Sequence, residues 1–144
     1  ISRRMHLTRK SSTIIAKTAM SLCDSAFRLH GRDAKGGFDC IGLAVQCLRA
    51  ADAGCRAPNG YSIRGGSAQT IAEFMTGIGF ERFPPASGLQ EGDIVLVRPS
   101  PVQWHFLIRA GDGFVHAHAG LGKVVFCPGE SPWPIVSIFR LVED

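Results

Sequence analysis

Several large protein classes are closed to this chain by what it lacks. No apolar run reaches the roughly 18 residues that a membrane-spanning helix needs, so no helical span is expected. The five cysteines, Cys23, Cys40, Cys47, Cys55 and Cys127, include no CxxC pair. That absence removes the zinc knuckle and the thioredoxin-type redox site. Aromatic residues do not interleave with the basic ones, which argues against a nucleic-acid groove. Four cationic side chains stand near the start (Arg3, Arg4, Arg9 and Lys10), yet no long apolar segment follows, so no secretory signal is read. The chain is therefore expected in the cytoplasm at synthesis, or to leave by a route that needs no such signal. No repeat, low-complexity tract or internal domain boundary interrupts it.

What remains has the composition of an ordinary globular domain. A length of 144 residues suffices for one hydrophobic core. Hydrophobic residues make up 45% and charged residues 19%, as is usual for a packed domain. Net charge is +4, and much of the excess lies in residues 1–10. That basic tip reads as a solvated, frayed end, and 11–144 as the domain. Contact of the tip with an anionic polymer such as a cell wall is the alternative. Cys23, Cys47 and Cys127 have apolar neighbours and read as small buried hydrophobes, and Cys55 as a loop residue.

Helix signals come first and strand signals second. Residues 11–27 show an apolar face at helical spacing (Ile14, Ile15, Thr18, Ala19, Leu22), with Ser11 or Ser12 as cap. A glycine-rich loop over 28–38 precedes a second helix from Asp39 to about Ala53, capped by Asp39 and stopped by Gly54. Ile41, Val45 and Leu48 form its buried side. Residues 54–66 read as loop, and Ser67 starts a third helix that buries Ile71, Phe74 and Met75 and ends near Gly77. About five strands follow, at 93–98, 105–109, 114–118, 123–127 and 135–142. Asp112-Gly113 is a two-residue hairpin signal between the second and third. Helices followed by an antiparallel sheet indicate an α+β domain.

The chemistry centres on Cys40. In the first turn of a helix its sulfur lies at the positive end of the dipole, which favours thiolate over thiol. A thiolate with a histidine to take and return its proton is a nucleophilic catalyst for acyl transfer. Alone, a helical cysteine is a common core residue, but the glycine-rich loop before it suits a backbone that must approach a substrate. His105 starts a strand in which Phe106 and Ile108 supply the buried face, leaving it beside Leu107 and Arg109 on the other. A two-residue turn at Asp112-Gly113 would pair 109 with 116 and 107 with 118, placing His116 and His118 on the face of His105, with His118 nearer. Three histidines on one face also admit a metal site, for which no nearby carboxylate is evident. No cofactor is expected.

Four segments in order resemble the NlpC-type cell-wall cysteine peptidases, a papain-like superfamily. Gly37-Phe38-Asp39-Cys40-Ile41-Gly42-Leu43 is similar to the nucleophile motif, and Glu91-Gly92-Asp93-Ile94-Val95-Leu96 to the strand that follows a Pro-Gly-Asp. His105-Phe106-Leu107-Ile108 is similar to the catalytic-histidine strand, and Phe114-Val115-His116-Ala117 to the segment with the third catalytic residue. The resemblance runs from about residue 12 to 142 and is nearest the branch carried by bacteriophages and gene-transfer agents.

It implies a papain-like α+β fold and hydrolysis of an amide in peptidoglycan stem peptides, commonly between γ-D-glutamate and a diamino acid. Cys40 is then the nucleophile, His105 the base and His116 the group that orients it. Asp39, Phe27 and His118 fall at substrate-binding positions. Stem peptides and phage or gene-transfer-agent tail proteins are the implied partners, and the bacterial wall the place of action. Two residues depart from the pattern: Ile41 stands where serine is usual, and Phe27 where a tyrosine helps to hold the oxyanion. These departures motivate an alternative, a wall-binding or tail module with weak or no activity. An amidase or acyltransferase acting outside the wall is the third reading.

Overall fold

The computed structural model describes residues 2–28, 32–33, 37–51, 67–101 and 103–141. The expected loop over 54–66, Gly54 as helix stop, Cys55 and the final strand residue Val142 lie outside them. Helix α1 spans Ser2–Ser21, a two-stranded ribbon pairs β1 (Arg32–Asp33) with β2 (Gly37–Phe38), and α2 (Cys40–Ala51) and α3 (Ala68–Gly77) follow. The rest is β3 (Phe80–Phe83), a single 3₁₀ turn (Pro85–Ser87), β4 (Ile94–Ser100), β5 (Gln103–Ala110), β6 (Gly113–His118), β7 (Lys123–Pro128) and β8 (Ile135–Leu141). The last six strands form one antiparallel sheet in the order β3-β8-β4-β5-β6-β7. The architecture is α+β, with one strand more than expected in the main sheet and a two-stranded ribbon where a loop over 28–38 is expected. No described helix is long and apolar enough to cross a membrane.

The helix over 11–27 is displaced towards the start of the chain. Residues 2–10 contain no glycine or proline and continue the helix with good formers such as Arg, Met, Leu and Lys. At the other end the helix stops at Ser21, and Asp24 turns into the left-handed region with φ 75°. Residues 24–27 then run beside β7: Asp24 N–H donates to Val124 O, Val124 N–H to Ser25 O and Phe27 N–H to Gly122 O, each at 2.8 Å. The backbone of this stretch is satisfied by a strand, not by another helical turn.

Helix α2 begins where its cap requires. Gly42 N–H donates to Asp39 Oδ1 at 2.8 Å, and Leu43 N–H to the Asp39 carbonyl at 2.9 Å. Ile41, Leu43, Ala44, Val45, Cys47 and Leu48 are all buried, so this helix is enclosed on most sides. In α3, Thr70 N–H donates to the Ser67 side chain at 3.1 Å, and Ile71 and Met75 are buried. Phe74 is half-buried.

The sheet is buried on both faces. One face packs Leu96, Phe106, Ile108, Val115 and Phe139 against Ile15, Ala19, Leu43, Leu48, Ile71 and Met75 of the helices. The other holds a smaller cluster of Val95, Val97, Leu107, Phe114 and Ile138, covered by Phe83, Leu89, Trp133 and Ile135. Alternation along β4 and β5 assigns successive residues to the two cores. At the start of β4 the chain crosses the backbone of α1. Gly92 has φ 85°, and a Cβ there would overlap the backbone of Ser12, so only glycine fits. Asp93 beside it is fully buried and accepts from Arg140 Nε and Nη2 and from Gln90 N–H, each at 2.8 Å.

Candidate active site

The hairpin register decides which histidines meet. The turn residues are Gly111 and Asp112, one place earlier than the Asp-Gly signal, and Gly111 takes the positive φ of 57°. The ladder pairs Ile108 with Val115, Arg109 with Phe114 and Ala110 with Gly113, in place of the expected 109 with 116. Gly113 belongs to the strand because a Cβ would collide with Cys127 O and the Phe126 ring of β7. The two-residue shift brings His116 within diagonal reach of His105. His105 Nε2 and His116 Nδ1 lie 3.0 Å apart. His118 does not join this bond; its Nδ1 accepts from Leu121 N–H at 3.0 Å, in the turn between β6 and β7. The structure brings His105 together with His116 and leaves His118 bonded to the following turn.

The polar side of β5 is only partly open to water, with His105 and Arg109 half-buried. Leu107 is fully buried, and the His105 ring stands edge-on to Trp133 with centroids 5.8 Å apart and planes at 89°. His116 is buried and also stands edge-on to Trp133, at 5.8 Å and 86°. Burial, then the neighbouring His116 and His118, pull the His105 imidazole down to about 3. Burial and then His118 pull His116 down to about 4. Both rings are neutral at pH 7, and one donates to the other. Trp133 was not singled out by sequence reasoning; the Pro132-Trp133-Pro134 run reads as a loop, and only the folded sheet reveals what the indole touches.

Cys40 is the first residue of α2 and is half-buried against the helix-side core. The backbone amides of Phe106, Ile41 and Cys40 itself each favour the thiolate. Phe106 follows His105 directly, so the amide that acts on the sulfur belongs to the histidine strand. Burial outweighs the amides and pushes the thiol up to about 12, with the Asp39 carboxylate adding to the rise. The expected resting thiolate is thus corrected. The start of the helix does aim amides at the sulfur, but desolvation costs the anion more than they return.

The remaining candidates take these places. Asp39 is buried and caps α2. Phe27 is half-buried on the helix-side core, held beside β7 through its N–H to Gly122 O. Ile41 is 3% exposed, a core residue where the motif has serine. Cys47 is buried as expected, while Cys23 and Cys127 are only partly so. Among the described residues no group of three or more His, Cys, Asp or Glu side chains is arranged to hold a metal ion. A hollow of about 300 Å³ at the β3–β8 edge, lined by Arg82, Phe83, Pro84, Pro85, Val136 and Ser137, includes none of the site residues.

Solved structures share this arrangement of elements. NlpC1 from Trichomonas vaginalis superposes with a TM-score of 0.67 at 18% identity, over 90% of this chain and 43% of that one. The P60 domain of an antigen from M. avium subspecies paratuberculosis gives 0.65 at 21% identity, over 95% of this chain and 98% of that one. The fold is that of NlpC/P60 domains. The peptidoglycan hydrolase RipB from Mycobacterium tuberculosis gives 0.63 at 21% identity, over 95% of this chain and 67% of that one. This chain therefore spans less than half of the Trichomonas NlpC/P60 protein and nearly all of the isolated mycobacterial domain. No protein-family model matches the sequence, and no curated protein matches it either.

Proposed function

We propose that the chain is a cysteine endopeptidase of the NlpC/P60 kind that hydrolyses amide bonds in peptidoglycan stem peptides, the γ-D-glutamyl–diamino acid bond first among them. The observation that carries this is the 3.0 Å contact between His105 Nε2 and His116 Nδ1, immediately before Phe106, whose backbone amide favours the Cys40 thiolate. With Nε2 bonded to His116, the other nitrogen of His105, Nδ1, is the one left to exchange a proton with the thiol. The four motifs and the NlpC/P60 fold support the same roles, as does the hydrolase activity named for RipB.

Both partners are neutral at rest, so the nucleophile is generated during attack. The Cys40 thiol gives its proton to His105 as the sulfur bonds to the scissile carbonyl. The carbonyl oxygen becomes an oxyanion near the Cys40 amide at the start of α2. Collapse breaks the C–N bond, and His105 returns the proton to the leaving amine. Water, deprotonated by His105, then hydrolyses the thioester and restores the thiol. Asp39, Phe27 and His118 contact substrate on this reading. A phage or gene-transfer-agent tail that carries the protein from the cytoplasm to the wall is the delivery route that the motif branch favours.

Purified cell wall tests the proposal. Wild-type protein is expected to release stem-peptide fragments, and Cys40→Ala to release none; digestion by the variant at the parent rate would remove Cys40 from the mechanism. One observation favours a second reading, a wall-binding module without turnover. A thiol near 12 and an imidazole near 3, with Phe27 where a hydroxyl donor is usual, describe unreactive groups. Wall binding with no fragments from either protein selects that reading.

A further inference from the structure

Trp133 has no part in the chemistry above, yet it touches both members of the histidine pair. Its ring centroid is 5.8 Å from that of His105 and 5.8 Å from that of His116, edge-on to each, while the two histidine rings are 5.1 Å apart at 82°. The backbone of Trp133 is held by Ser131 through two hydrogen bonds. Ser131 Oγ donates to the Trp133 carbonyl at 2.6 Å and accepts from Trp133 N–H at 3.3 Å. The side chain packs on Val95, Val97, Leu107, Phe114 and Ile138. It therefore stands on the rigid far-side core while its ring meets the two imidazoles.

An imidazole has a broad, two-fold torsion about its ring bond, and a neutral pair can share its proton in either sense. One hydrogen bond between neutral rings fixes neither choice when water competes for the same nitrogens. Edge-on aromatic contact at this distance is attractive and directional, and it excludes water from the side it covers. We propose that Trp133 is a positioning residue: it holds the His105 and His116 rings in the one orientation that joins Nε2 of the first to Nδ1 of the second, and keeps water off that bond. The inference rests on the peptidase reading only for its consequence in rate; the ring geometry stands by itself.

Two variants keep an apolar side chain on the far-side core, Trp133→Phe with an aromatic edge and Trp133→Leu without one. Nitrogen-edited spectra of the imidazoles are expected to show one tautomer for each ring and low titration midpoints in the wild type. Trp133→Phe should preserve both. Trp133→Leu should mix the tautomers and move the midpoints up towards an ordinary imidazole, with a native amide spectrum elsewhere. Wild-type ring signals in Trp133→Leu would overturn the inference. So would mixed tautomers or ordinary midpoints in the wild type, a measurement that decides the matter should Trp133→Leu not fold. In wall digestion, Trp133→Leu should lower kcat by about tenfold to a hundredfold with KM unchanged, the mark of misaligned groups and not of lost binding. A protein with the predicted ring signals that cleaves no wall retains this inference and overturns the peptidase reading.

Discussion

Two polar pairs that bridge strands of the sheet, each with one buried member, are built on opposite principles. Asp93 and Arg140 join the start of β4 to β8 through two charged hydrogen bonds, with Gln90 N–H satisfying the carboxylate further. Arg140 also reaches Gly88 O and lies over the Phe83 ring. Hydrogen bonding to Asp93 raises the guanidinium above its usual range, so Arg140 stays charged at any ordinary pH. His105 and His116 join β5 to β6 through one bond between neutral rings. The first arrangement fixes geometry and gives up no proton. The second leaves a proton able to move, which a base in acyl transfer requires. The same low-dielectric surroundings serve both ends, because the ionic pair is fully hydrogen-bonded and the imidazoles shed their charge.

The comparison breaks most visibly at the ionic pair. Arg140→Ala leaves Asp93, which is fully buried, without its counter-charge. The expected loss is about 3–5 kcal/mol in urea unfolding at pH 7; a loss under about 1 kcal/mol would show that the pair does not hold the strands. The histidine pair is sharpened by acid. Unfolded imidazoles take up protons near 6.5, whereas in the fold His105 does so near 3 and His116 near 4. Between these values the unfolded chain binds more protons. Stability therefore rises with pH across this window and falls as pH drops from about 6.5 towards 4. A loss of roughly 2 to 3 kcal/mol from each imidazole between pH 7 and 4.5 is expected from thermal melts. His116→Gln should flatten that slope whatever it does to stability at pH 7, and an equally steep slope would assign the acid sensitivity to other groups.

What the sequence disclosed follows the range over which each signal acts. The start of α2 was legible because Asp39, Gly42 and the apolar face are neighbours along the chain. Ser67 announced α3 for the same reason. The hairpin register was not legible, since Gly113 is required by the closeness of β7 and not by the turn. Edge strand β3, Phe-Glu-Arg-Phe, has no two-residue alternation to reveal it. The far end of α1 was lost to β7, which pairs with residues 24–27 across about a hundred residues of chain. The thiol followed the same rule. The dipole at Cys40 is local and was read, while the desolvation that overrides it comes from the whole core.

The smallest expected effect concerns the one residue that connects the local signal to the nucleophile. Asp39 Oδ1 accepts from Gly42 N–H at 2.8 Å, and asparagine offers the same carbonyl oxygen in nearly the same place. Asp39→Asn should therefore change stability by no more than about 0.5 kcal/mol. Its charge is another matter. Burial chiefly raises the Cys40 thiol, the amides of Phe106, Ile41 and Cys40 oppose it, and the Asp39 carboxylate adds to the rise. Removing the charge should let the thiol ionise at lower pH and speed its alkylation at pH 8 by roughly two- to threefold. If Asp39 also meets the amine of a stem peptide, KM for wall fragments with a free amino terminus should rise in the same variant. Faster alkylation with unchanged KM confines the residue to cap and field, whereas an unchanged alkylation rate would show that the carboxylate does not act on the sulfur.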